Sequence, residues 1–237
     1  MFAEAITRLV LSAGPWLVVG MGICSLLIVV IGDWRFSLMA FGLQSVLLAL
    51  LNMRLLPFEW AALRMLVGGL VALLWFISAR RIRWGGRQEP ARWWLLRRGR
   101  GERWPLLSTG PLMRWLAVGL AGVVFFRLQG RLTLPVLPAD LGLACSWLWL
   151  MGFLAMAISD EPLRAGMGLL TMSWGFQLLY SALAPSHISI GLLSGLDLLV
   201  GLAVAYLMVA RGLAGRPLLA RLLGVREYEE TVPRGQQ

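Results

Sequence analysis

The sequence predicts an all-α integral membrane protein, and three observations lead there. Seven apolar stretches, at about 9–32, 36–52, 57–79, 111–126, 139–158, 163–184 and 188–210, occupy most of the 237 residues. A hydrocarbon core roughly 30 Å thick takes about 20 apolar residues per helix. Composition agrees, with 59% hydrophobic residues and a mean hydropathy of +0.75. Arginine is distributed unevenly between the segments joining the stretches. Backbone polar groups in lipid must be satisfied within their own segment, so each stretch is predicted to be a helix.

The first stretch is long and lacks a small-residue cleavage site, so it reads as a retained helix rather than a signal peptide. The second and fourth are short for a full crossing. The third ends at Arg80 and opens a segment with nine arginines, Arg80, Arg81, Arg83, Arg87, Arg92, Arg97, Arg98, Arg100 and Arg103. Positive charge collects on the cytoplasmic side. That places this segment inside and, by alternation, the N-terminus outside and the C-terminus inside. Arg35, Arg114, Arg164, Arg211, Arg216, Arg221, Arg226 and Arg234 then also fall inside. Only Arg8, Arg54, Arg127 and Arg131 fall outside, and Arg64 lies within a helix. All 22 basic residues are arginine, a bias that reads as genome composition rather than mechanism.

Trp84, Trp93, Trp94 and Trp104 interleave with those loop arginines. Arginine with aromatics can bind nucleic acid. In a membrane chain the same composition fits the headgroup layer, with indoles at the interface and guanidinium groups on lipid phosphates. Arg80, Arg81, Arg83, Trp84, Trp93 and Trp94 are therefore expected to contact anionic lipid at the cytoplasmic face, and no nucleic-acid partner is expected. The tail carries an amphipathic stretch, Pro217 to Val225, before turning polar.

An internal repeat is also readable. Ala62-Leu63-Arg64-Met65-Leu66-Val67-Gly68 lines up with Gly195-Leu196-Asp197-Leu198-Leu199-Val200-Gly201. Both heptads sit near the start of an outside-to-inside helix that ends at arginine. Helices one to three and five to seven would be parallel halves. Three crossings invert the chain's sidedness, so the fourth helix is needed to restore it, giving 3+1+3. The expected organisation is a first three-helix half (1–80), an Arg/Trp-rich cytoplasmic loop (81–110), a linking helix with an outer loop (111–138), a second three-helix half (139–211) and a cytoplasmic tail (212–237).

Ionisable groups inside hydrocarbon are rare and costly, at least ~3 kcal/mol each on insertion scales. Arg64 and Asp197 lie at similar depth with opposite charge, so an interhelical ion pair is geometrically allowed. Gln44 and Gln177 fall in about the same layer, with Ser173 one turn further in. Two readings compete: a hydrated polar axis that passes or polarises protons or ions, and a buried polar lock that fixes helix register. Asp197 shares a helix face with Ser194 and Gly201. Gly191 and Gly195, four apart, suggest close helix packing, as does Gly201. Cys24 and Cys145 are isolated, which predicts buried inert thiols rather than a disulfide or metal site. His187 is expected at the surface and Glu59 near the outer membrane face. No nucleophile–base pair, phosphate loop or metal-ligand spacing is present, so no catalytic site, metal or cofactor is expected in this chain.

Asp160-Glu161-Pro162-Leu163-Arg164, followed by Gly168-Leu169-Leu170-Thr171-Met172-Ser173-Trp174-Gly175, resembles the penultimate helix of the E-type membrane subunit of complex-I-like, energy-converting hydrogenases. The Asp197 heptad resembles the acidic start of that family's last helix, and Phe41-Gly42-Leu43-Gln44-Ser45 resembles the start of its second. The final three helices are similar to the K (4L) subunit of respiratory complex I and the C subunit of multisubunit sodium/proton antiporters. The resemblance covers roughly 35–80 and 139–211. It implies a non-catalytic, multi-pass subunit of the cell's inner (plasma) membrane, packed beside antiporter-like subunits and contributing to proton or ion translocation. Redox chemistry would belong to partner subunits. The family carries a membrane glutamate at the position of Ser173 or, in the K subunit, at about Leu170. Of its two buried carboxylates only the second has a counterpart here, Asp197. A stand-alone small transporter or channel and a lipid-facing scaffold are the alternatives.

Overall fold

A computed structural model of the chain describes residues 14–81, 111–128, 138–159, 161–183 and 186–214. Seven helices and no strands are present among them: α1 Gly14–Val30, α2 Trp34–Asn52, α3 Phe58–Arg81, α4 Pro111–Leu128, α5 Ala139–Ile158, α6 Pro162–Leu183 and α7 His187–Ala214. Each falls on one of the apolar stretches, and α7 runs a few residues past its predicted end at 210. Four are long and apolar enough to cross a membrane: Trp34–Asn52, Phe58–Arg81, Ala139–Ile158 and His187–Gly212. The described part of α1 is apolar but shorter, at 17 residues. Helix α6 carries Thr171, Ser173, Gln177 and Ser181 on a segment largely enclosed by its neighbours. Loop residues Arg83, Trp84, Trp93 and Trp94 lie outside the described residues, whereas Arg80 and Arg81 are exposed at the end of α3.

Six helices close a ring in which α1 packs on α2, α2 on α3, α3 on α7, α7 on α6, α6 on α5 and α5 back on α1. Helix α4 sits outside it, against α1 and α5, where Phe125 meets Trp147 edge-on at 5.0 Å. Three contacts give the helix directions. Arg54, after α2, pairs with Asp140 at the start of α5. Trp60, near the start of α3, stacks on His187 at the start of α7, with ring centroids 5.1 Å apart. At the opposite end, Arg164 near the start of α6 donates to the Gly32 carbonyl just before α2. Matched helices α2 and α6, and α3 and α7, therefore run parallel.

Five pairs of residues across these helices share one separation. Arg64 and Asp197 are 133 positions apart, and so are Phe41 and Trp174, Gln44 and Gln177, Gly68 and Gly201, and Val71 and Val204. Every one of these ten residues is buried. A shared separation from α2 through α3 and from α6 through α7 means that the same helix face turns inward in each half.

Glycine sets the closest approaches. A Cβ on Gly152 (α5) would lie 2.7 Å from the Gly168 carbonyl oxygen of α6, and a Cβ on Gly168 would lie 2.7 Å from that of Gly152. Gly201 faces Val71 of α3, where a Cβ would meet a methyl at 2.8 Å. Gly191 and Gly195 do not pack as their spacing suggests. Both are exposed, with nothing within 4 Å of an added Cβ. Their mean direction is turned by roughly 100° around α7 from that of Ser194, Asp197 and Gly201, enough to point them out of the bundle.

Gly152→Val and Gly168→Val should each destabilise the protein by about 1–3 kcal/mol, the usual cost of overpacking. Gly191→Ala and Gly195→Ala should stay within about 0.5 kcal/mol. Thermal unfolding in detergent micelles distinguishes the two pairs.

Candidate functional site

The centre of the ring is built from aromatic rings before it is built from charges. Phe41 of α2 stacks on Trp174 of α6 at 4.6 Å and lies against Trp75 of α3 at 5.2 Å. Both indoles aim their N–H at α7. Trp75 Nε1 donates to the Gly201 carbonyl at 2.8 Å, and Trp174 Nε1 donates to Asp197 Oδ2 at 3.1 Å. Their acceptors are one helical turn apart. A buried indole needs an acceptor for its N–H, so this aromatic cluster sets the rotation of α7 that turns Asp197 inward.

Asp197 is buried, with 4% of its surface exposed. Besides Trp174, its carboxylate accepts from Ser173 Oγ at 3.0 Å and from Gln177 Nε2 at 2.8 Å. All three donors come from α6, at positions i, i+1 and i+4, the side of that helix nearest α7. Gln177 Nε2 also donates to Ser173 Oγ at 3.1 Å, tying the donors together. A buried carboxylate is tolerable only when its lone pairs are filled, and here neutral groups fill them.

Arg64 is the second buried charge, 6% exposed, but it is not in contact with Asp197. The ion pairs among the described residues are Arg54–Asp140 and Arg164–Glu161. The direct interhelical pair allowed by the sequence is therefore not formed. Arg64 Nη1 instead donates to Asn52 Oδ1 at 3.1 Å, at the end of α2. Asn52 is in turn held by a hydrogen bond that its Nδ2 donates to the Leu48 carbonyl at 3.0 Å.

The polar layer extends beyond these bonds. Gln44 Nε2 and Oε1, Arg64 Nε and Nη2, Thr171 Oγ1 and Ser194 Oγ are buried with no hydrogen-bond partner among the described residues. They come from α2, α3, α6 and α7. Groups of this kind are normally served by ordered water. Of the five polar residues singled out from the sequence, Asp197, Ser173 and Gln177 form one bonded cluster. Arg64 and Gln44 are buried on the facing helices without joining it directly. Sequence reading missed Trp174 and Asn52. The first was legible as a residue adjoining Ser173 on one helix face, and the second only from the loop geometry that brings the end of α2 beside α3.

Among the described residues no group of three or more metal-ligating side chains is present. Cys24 and Cys145 are buried free thiols. His187, exposed against Trp60, and exposed Glu59 lie apart from the polar layer.

Trp174→Phe keeps the ring on Phe41 and removes one donor from the buried carboxylate. It should cost about 1–3 kcal/mol, the penalty of an unsatisfied buried group. Trp149→Phe, at a half-exposed indole, should change stability by no more than about 0.5 kcal/mol. Thermal unfolding of the two variants side by side tests this. No family model, curated protein or solved structure matches the chain.

Proposed function

We propose that this chain is a non-catalytic, multi-pass membrane subunit of a complex-I-like, ion-translocating assembly, in which Asp197 and Arg64 form part of a buried polar axis. Its seven helices would all cross the inner (plasma) membrane as a parallel 3+1+3 repeat. The N-terminus would lie outside, and the arginine-rich side would face anionic lipid in the cytoplasm. Antiporter-like subunits would pack on the outward apolar faces. The chain itself would hold no cofactor.

The observation that carries this reading is the Asp197 cluster. A carboxylate held by hydroxyl, indole and amide donors can exchange a proton without breaking an ion pair. A positive charge stands in the matched position of the other half, supported by a neutral side chain. Water among Gln44, Arg64 and Ser194 would continue the path across the ring. Energetics favour function over a lock. Interhelical hydrogen bonds in membranes average ~0.6 kcal/mol, against an insertion cost of ~3 kcal/mol for a central Asp. Three such bonds would offset only part of that cost, so stability alone is a poor reason to keep Asp197.

A stand-alone transporter is the second reading, favoured by the closure of the ring through α1 with α5 and α3 with α7. Ion flux in vesicles holding this chain alone would select it. Flux only in the assembled complex would select the subunit reading, as would neighbouring genes for antiporter-like and hydrogenase or quinone-reductase modules.

Asp197→Asn should lower translocation by the complex at least about tenfold, equivalent to losing ~1.4 kcal/mol of charge-specific stabilisation. Asp197→Glu should retain most of it. Normal pumping by Asp197→Asn would remove the polar-axis role and leave only packing. Orientation is tested in a background where Cys24 and Cys145 are serine. A membrane-impermeant thiol reagent applied to intact cells should label His187→Cys and spare Arg80→Cys.

A further inference from the structure

At the end of the ring opposite His187, α1, α4, α5 and α6 border a narrow cleft whose lining includes Arg114, Ser159 and Arg164. We infer that the mouth of this cleft binds the phosphate of an anionic phospholipid, gripped by Arg114 and Arg164.

Four features point to an anion. Arg164 is 7% exposed, and one of its terminal nitrogens donates to the Gly32 carbonyl. Its Nε makes no hydrogen bond and stands 3.5 Å from Glu161 Oε2. Arg114 Nε is likewise buried without a partner among the described residues. Both arginines line the same cleft. Against them the described residues set one carboxylate, that of Glu161, whose side chain is 47% exposed.

Placement reinforces the charge count. Arg114 lies in the first turn of α4 and Arg164 in the first turn of α6. Helix N-termini carry partial positive charge and favour anions, so a cation there is in the wrong place for helix stability. Two such arginines facing one cleft make sense when an anion sits between them. Basic pockets between membrane helices on the cytoplasmic side suit lipid headgroups.

The test uses the full chain purified in mild detergent, with phosphatidylglycerol and inorganic phosphate as separate probes. Native mass spectra should retain phosphatidylglycerol on the wild type and about tenfold less on Arg114→Gln, the loss expected for one charge-assisted contact. Arg164→Gln should lose it too. If that variant fails to fold without the Gly32 bond, Arg114→Gln carries the result alone. A rise in melting temperature with phosphatidylglycerol and none with phosphate supports the lipid site. An equal rise with both, abolished by Arg114→Gln, supports the phosphate contacts and overturns the lipid assignment. Retention unchanged in Arg114→Gln overturns the site.

Discussion

The constraint on which the rest of the ring depends is the pair of indole N–H groups reaching α7 from either side of Phe41. Trp75 and Trp174 come from helices in different halves, and their acceptors are one turn apart on α7. An indole left unsatisfied in an apolar interior is penalised. Depth and rotation of α7 are thereby specified relative to α3 and α6 together. Once α7 is set this way, Asp197 faces Ser173 and Gln177, and Gly201 lies against Val71. The polar cluster is thus a consequence of aromatic packing rather than its cause.

The paired positions of α2–α3 and α6–α7 are alike in spacing and unlike in chemistry. The same inward position holds Arg64 in one and Asp197 in the other, while the glutamines match. Opposite charges at equivalent positions leave the interior close to neutral without requiring the two groups to touch. Each keeps its own neutral partners, Asn52 for the cation and the α6 trio for the anion. A buried ion pair in contact would gain Coulomb energy at the expense of responsiveness. Separation leaves each charge able to respond to a change at the other.

Much of the architecture is legible in the sequence, because hydropathy reports helix position directly and needs no knowledge of rotation. All seven stretches became helices with ends within a few residues, apart from the start of α1, which lies outside the described residues. The buried polar layer is legible for the same reason: Arg64 and Asp197 stand out against apolar neighbours. Partner choice is a matter of rotation and loop geometry, which composition does not encode. Hence Arg64 turned to Asn52 rather than to Asp197, and the Gly191–Gly195 spacing faced outward while Gly201 packed. Residues 82–110, with most of the loop arginines and tryptophans, lie outside the described residues.

The reciprocal approach of Gly152 and Gly168 has a consequence for how such a protein can vary. Backbone oxygens, unlike side-chain ends, have no alternative rotamer, so neither position can absorb a methyl group by local adjustment. A compensating change at the other position is barred, because both are already the smallest residue available. The α5–α6 seam would thus drift hardly at all under random mutagenesis, while the outward leucines of α7 exchanged freely. Diversity in this molecule should accumulate on its circumference, leaving one narrow line through the bundle almost frozen.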